Sequence, residues 1–299
     1  MKWFIIFLVL VVVIVGIVAW RANNAEASAE ASYPPLGQFV EVNGRKVHYF
    51  EKGTGPAVIL IHGASGNLRD WTFSMIDKLA QDYRVIAFDR PGLGYTDRAA
   101  PEFVNAFNTD GESPREQAKM LIAAAKALNV ENPIVVGQSF GGAVSLGWAL
   151  EEQPVALVLV ASVSQPWPGD LGLYYRATQS ALGGAVVPYL IAAIATEQRF
   201  NDAIEGVFEP QAAPDGYDAH IGAHLSVRPF SFRANARQVN SLRPHVVDMA
   251  PLYDGLTLPV EMLHGTADTT VPIDIHSIPT SKVIPDANLV ILDGIGHMP

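Results

Sequence analysis

Alternating strand and helix patterns over residues 36–163 and again over 252–299 predict an α/β chain with a mostly parallel sheet and helices on both faces. Two further observations complete that prediction. Residues 164–251 break the alternation with helix-like pieces and no clear strand, which reads as a helical cap inserted between the two parts of the core; ordinary connections are far shorter. An uncharged apolar run, Trp3 to Trp20, precedes the whole domain.

That run spans roughly 27 Å as a helix, close to the hydrocarbon thickness of a bilayer. Trp3 and Trp20 fall where interfacial aromatics belong, flanked by Lys2 and Arg21. Residues 1–21 therefore predict a single-pass anchor with residues 3–20 in the membrane. The alternative is a signal segment cleaved near Ala25-Glu26-Ala27, with secretion of the remainder. Positive charge at the amino end, set against Arg21 alone, predicts a cytoplasmic amino end and a globular domain on the outer or periplasmic side. Residues 22–35 are small and polar, then turn-rich, and read as a linker.

The first core elements are Gln38–Val42 and Arg45–Glu51, joined by the hairpin signal Asn43-Gly44. Ala57–Ile61 is a continuous apolar run, the pattern of a strand covered on both faces. A helix over Leu68–Gln81 and a strand over Arg84–Phe88 follow. Ser113, Pro114 and Glu116 form a capping box that starts a helix running to Leu128. The next elements are a strand at Pro133–Val136, a helix at Gly141–Glu151 and a strand at Val155–Ala161. In the insertion, Tyr174–Leu182 and Val187–Gln198 read as helices. Strands resume at Pro259–His264 and Asn288–Leu292.

Composition narrows the function. A net charge of −10 without a clustered basic face argues against nucleic acid. The absence of cysteine rules out disulfides, thiolate metal sites and cysteine nucleophiles. His264 precedes the acid turn, His220, His224, His245 and His276 are scattered, and none has metal-ligand spacing. There is no phosphate-binding loop, and Gly92-Leu93-Gly94 is too short for a dinucleotide fingerprint, so no cofactor or metal is expected. Asp89, Asp97 and Asp110 read as surface partners of Arg90 or Arg98. Trp167, Tyr174 and Tyr175 either line an apolar substrate pocket or pack the insertion.

Gly137-Gln138-Ser139-Phe140-Gly141 lies between a buried strand and a helix that begins at once. A serine in G-x-S-x-G at such a junction sits on a sharp, strained turn beside a helix N-terminus, where flanking glycines avoid clashes. Its hydroxyl needs a base, itself oriented by a carboxylate. Asp268 follows one strand and His297 the last, in the order acid then histidine. Parallel strands end at the edge where open α/β sheets place their sites. His62-Gly63-Ala64 follows Ala57–Ile61. There the backbone N–H of Ala64, with that of Phe140, would hold developing negative charge.

The segments LIHGASGNLRDW, FDRPGLGYTDR, GQSFGG, LHGTADTTVP and LDGIGHMP, in that order, resemble the α/β-hydrolase superfamily, in its capped, serine-nucleophile, esterase/lipase-like branch. The resemblance implies Ser139 as nucleophile, Asp268 as acid, His297 as base, and His62-Gly63-Ala64 as the oxyanion turn, with Gly137 and Gly141 in support. Asp89-Arg90-Pro91-Gly92 resembles a structural turn. Serine in place of aspartate at the nucleophile position disfavours epoxide opening and halide displacement. It implies hydrolysis of a small-to-medium apolar acyl substrate, an ester above all. Carbon–carbon bond hydrolysis, cofactor-free perhydrolysis and a non-catalytic, membrane-tethered binding protein are the alternatives. Family members usually continue beyond the position of Pro299 into another helix. The expectation is therefore a fragment, or a poorly held His297.

Overall fold

The computed structural model describes residues 1–169 and 171–299; the side chains of Leu173, Tyr174 and Arg176 also lie outside that description. Helix α1 (Lys2–Ser32) leads into β1 (Gln38–Val42), β2 (Arg45–Lys52), β3 (Ala57–Ile61), the short helices α2 (Arg69–Thr72) and α3 (Met75–Leu79), and β4 (Arg84–Phe88). Next come α4 (Pro114–Ala127), β5 (Ile134–Gln138), α5 (Phe140–Glu151) and β6 (Ala156–Val160). Helices α6 (Gly172–Gln179), α7 (Ala181–Ile194), α8 (Glu197–Phe208), α9 (Tyr217–Ile221) and α10 (Pro229–Met249) are inserted before β7 (Val260–Gly265), α11 (Ser277–Val283) and β8 (Ala287–Leu292).

The strands form one sheet in the order β1-β2-β4-β3-β5-β6-β7-β8. The β1/β2 and β2/β4 pairs are antiparallel and the remaining pairs parallel. Asn43 and Gly44 both take positive φ, 50° and 73°, which closes the hairpin as its sequence predicts. Ser113 accepts from the Glu116 N–H while the Glu116 carboxylate accepts from the Ser113 N–H, so the capping box forms as expected. Helices α4 and α5 pack on each other, and the largest core cluster joins them to the sheet through Ile59, Phe88, Val135, Leu157 and Met262.

Several expectations are corrected. The linker expected over residues 22–35 is helical through Ser32. Its Ala and Glu content favours helix, and α1 lies along α7 with Ala22 and Ala29 buried. Arg21 Nε donates to the Ala193 carbonyl at 3.0 Å, and Arg228 pairs with Glu30 at 2.7 Å. Residues 21–32 are thus docked on the insertion, whereas the apolar half of α1 is exposed along nearly its whole length and is a candidate membrane span.

The helix expected over Leu68–Gln81 is two short helices, because Ser74 leaves helical geometry at φ −154°. In the insertion, Ser180 is extended and accepts from the Gly183 N–H, which ends α6 and caps α7. Thr196, also extended, separates α7 from α8. The surface pairing expected for Asp89 and Arg98 is overturned. Arg98 is buried in a pair with Glu112 at 2.5 Å, and buried Asp89 accepts from His48 Nδ1 at 2.6 Å and from the Leu68 and Tyr95 N–H groups.

Candidate active site

Ser139 stands between β5 and α5 at φ 53°, ψ −119°, a backbone state that costs about 1–3 kcal/mol for a non-glycine residue and persists only where surroundings enforce it. The surroundings do so. Its N–H donates to the Val160 carbonyl, and its own carbonyl accepts from Gly142 and Val163. A Cβ at Gly137 would lie 2.3 Å from the Gly141 carbonyl, and one at Gly141 would lie 2.2 Å from that of Ile61. Only glycine at both positions lets the turn close this tightly.

His297 Nε2 lies 3.0 Å from Ser139 Oγ, and its Nδ1 lies 2.8 Å from Asp268 Oδ2. All three residues are buried. Burial opposes the Asp268 charge, but hydrogen bonds from His264, His297 and the Val271 N–H, with attraction to His297, outweigh it and hold the carboxyl well below the usual range. An ionised Asp268 only accepts, so His297 carries its proton on Nδ1 and turns a lone pair from Nε2 toward the Ser139 hydroxyl.

Asp268 is fixed by more than His297. Its Oδ1 accepts from the Thr270 and Val271 N–H groups at 2.9 and 2.8 Å. Its Oδ2 lies 3.1 Å from His264 Nε2, which also donates to the Val271 carbonyl at 2.7 Å. Ser277 Oγ meets His264 Nδ1 at 2.6 Å, fixing the tautomer. In the sequence His264 stood out only as preceding the acid turn, four residues before Asp268.

Of the two alternatives drawn from the sequence, a poorly held His297 does not fit, because the segment around it is tied down. The Ala267 N–H donates to the Ile295 carbonyl, the Gly296 N–H to Gln211 Oε1, and Gln138 Nε2 to the His297 carbonyl. A Cβ at Gly265 would meet the Ile295 carbonyl at 2.0 Å, so glycine there permits the segment to close against β7.

His62 is buried and accepts from the Arg90 N–H through Nε2 at 2.9 Å, so Nδ1 donates to the Gly63 carbonyl. Burial, then the Arg90 charge, pushes it down to about 3, so it stays neutral and structural. Arg90, expected as a surface partner, is instead buried; it donates to the same Gly63 carbonyl at 3.0 Å and lies 4.2 Å from the Phe140 ring centre. It ties the His62-Gly63-Ala64 turn to the Phe140 turn. Burial pushes it down to about 9.

Two cavities of about 390 Å³ each flank Ser139. One includes Ala64, Phe140, Trp167, Tyr175 and Ile275, and Trp167 and Tyr175 thus fall where a pocket lining was expected. The side chain of Tyr174 lies outside the described residues. The other includes His297, Ile204, Val207 and Tyr217. Among the described residues, no group of three or more His, Cys, Asp or Glu side chains converges as metal ligands.

Residues 56–299 match a family model described as alpha/beta hydrolase fold. The 2-hydroxymuconate semialdehyde hydrolase of Pseudomonas putida is 27% identical over 278 residues, covering 90% of each chain. Among solved structures, an esterase from Rhodococcus sp. ECU1013 shares 27% identity at a TM-score of 0.64, over 89% of this chain and 92% of that one. A meta-cleavage product hydrolase superposes with a TM-score of 0.68 at 23% identity, over 88% of this chain and 92% of that one, a likeness of fold. With an eight-stranded, mostly parallel sheet, a serine on the strand–helix turn and a match over most of its length, this chain belongs to the alpha/beta hydrolase family.

Proposed function

We propose that the chain is a serine hydrolase that cleaves a carboxylic ester through an acyl-enzyme. The observation that carries this reading is the placement of His297 between Ser139 and Asp268, at 3.0 and 2.8 Å. His297 Nε2 takes the Ser139 proton as Oγ attacks the ester carbonyl. The Ala64 and Phe140 N–H groups hold the resulting oxyanion, and Asp268 stabilises the imidazolium. His297 returns the proton to the departing alcohol. It then activates a water that releases the acid and frees Ser139.

Similarity to 2-hydroxymuconate semialdehyde hydrolase favours a second reading, carbon–carbon bond hydrolysis by the same residues. Another relative is a hydrolase of a hexadienoic acid, an anionic substrate. Among the described residues bordering the two cavities at Ser139 there is no Lys or Arg, which supports a neutral acyl substrate over an anionic one.

A panel of short- and medium-chain esters beside a meta-cleavage dienoate tests the choice. Ester turnover that falls roughly 10⁴-fold or more in Ser139→Ala supports the reading. Turnover of the dienoate alone would move the assignment to carbon–carbon cleavage.

The apolar half of α1 acts in this reading as an uncleaved anchor. Its support is structural continuity: Ala25-Glu26-Ala27 lies within the docked part of α1 rather than in an extended segment. The charge flanks support an orientation with the hydrolase domain on the outer side. Amino-terminal sequencing of the membrane-bound protein and protease protection of the domain test both points.

A further inference from the structure

The two cavities beside Ser139 differ in which of its partners they reach. The one beneath α8 and α9 includes His297, and with it Gln138, Asp70 and Tyr217. The second includes Phe140 but not His297, and Ala64 borders both. In acyl transfer the proton taken from Ser139 passes from His297 Nε2 to the departing oxygen. The departing alcohol must therefore lie on the His297 side, and the acyl chain on the other.

The acyl side is apolar, shaped by Trp167, Leu242 and Ile275. The alcohol side is apolar over most of its length, with Phe200, Ile204, Val207 and Phe232, but it also carries a carboxyl group. Asp70 sits on α2, deep in the protein and partly accessible, and it borders both this cavity and a larger one of about 450 Å³ against the sheet that does not include Ser139. Tyr217 Oη on α9 donates to Asp70 Oδ1 at 3.0 Å. Oδ2 lies against the turn at Gly66, where a Cβ would come within 2.3 Å of it. Burial pushes the carboxyl up to about 7, against the hydrogen bonds from Tyr217 and the Asn67 backbone. A carboxyl in such surroundings carries a solvation cost that an apolar pair joining core and insertion would avoid. Its position beside the departing group gives that cost a use.

We propose that Asp70 determines specificity on the alcohol side by accepting a hydrogen bond from a hydroxyl on the departing alcohol, so that the substrates are monoesters of diols or polyols with an apolar acid. The inference rests on the acyl-transfer reading above. In such a reaction the Ser139–acyl bond forms as the acyl–oxygen bond of the substrate breaks. The diol leaves with the proton from His297, and one water then releases the acid.

The test uses the full chain in detergent and a series of ω-hydroxyalkyl hexanoates with two to six carbons in the alcohol. Each is paired with the alkyl hexanoate in which a methyl replaces the terminal hydroxyl. At pH 8.5, where Asp70 is ionised, a hydrogen bond to its carboxylate should make kcat/KM favour the hydroxyl member by about tenfold or more at one chain length. In Asp70→Leu the ratio should fall to about one, and in Asp70→Asn to an intermediate value. The Asn variant preserves shape and keeps the test valid if the Leu variant fails to fold. A ratio near one across the wild-type series, or an unchanged ratio in either folded variant, overturns the proposal. Fluorophosphonate labelling of Ser139 is measured in parallel. Labelled protein without discrimination rejects the role of Asp70 alone, whereas unlabelled wild-type protein rejects the acyl-transfer reading beneath it.

Discussion

His264 and His297 share one oxygen of Asp268: their ring nitrogens approach Oδ2 at 3.1 and 2.8 Å from two different strand ends. His264 cannot reach Ser139 in the hydrogen-bond network, so its effect passes through the acid. Removing it leaves Asp268 with fewer donors and freer to turn. His264→Ala should lower kcat about 10- to 100-fold, the worth of a hydrogen bond to a charged group, with little change in KM. Steady-state kinetics on a chromogenic ester read this split. An unchanged kcat would show that the Thr270 and Val271 N–H groups alone hold the acid.

Gly265 sets the position of the last segment through space rather than chemistry. A methyl group there would meet the Ile295 carbonyl at 2.0 Å and push His297 away from Ser139. Gly265→Ala should lower kcat by about two orders of magnitude or more, since small misplacements of catalytic groups cost that much. Ester kinetics with a thermal melt separate lost placement from lost fold.

The docked half of α1 should stabilise the domain, whereas the apolar half should not. A form starting at Arg21 keeps Ala22, Ala29 and the Glu30–Arg228 pair and should melt close to the full chain. A form starting at Tyr33 loses them and should melt several degrees lower, at about 2–4 °C per kcal/mol for a domain of this size. Differential scanning calorimetry of the two forms reads the difference. Equal melting temperatures would return residues 22–35 to the role of a linker.

Asp70 gives stability a pH dependence of defined sign. Its folded pKa of about 7 exceeds the usual carboxyl value, so the folded state holds its proton more tightly than the unfolded one. Its contribution is therefore complete below about 4 and is lost as pH rises through about 7. The unfolding free energy of Asp70→Asn, relative to wild type, should increase over that window. Urea melts at pH 4.5, 6 and 7.5 measure it, and a constant difference would contradict the raised pKa.

Much of the site was legible because backbone geometry constrains residue type. The positive φ of Ser139 demands glycine at 137 and 141, and that demand is written in the chain. Asp268 and His297 were legible as candidates because each lies within five residues of a strand's end. Asp70 and Tyr217 were not, since 147 residues separate them and only the fold of the insertion joins them. Helix α10 was hidden for a different reason. It buries Arg233, Asn235, Arg237 and Gln238, so it shows no apolar period. Arg237, for example, is spent on the Asn105 and Ala106 carbonyls. The linker reading failed because small polar composition fits both a tether and an Ala-rich helix, and contact with α7 decides between them.

An activated Ser139 should react with a serine-directed phosphonate. The most direct measurement is intact-protein mass spectrometry of the full chain in detergent after exposure to a fluorophosphonate, with Ser139→Ala and Asp268→Asn beside it. One adduct is expected, mapped to Ser139, absent in Ser139→Ala and formed orders of magnitude more slowly in Asp268→Asn. Folded wild-type protein that takes up no adduct, or an adduct that persists in Ser139→Ala, would contradict it.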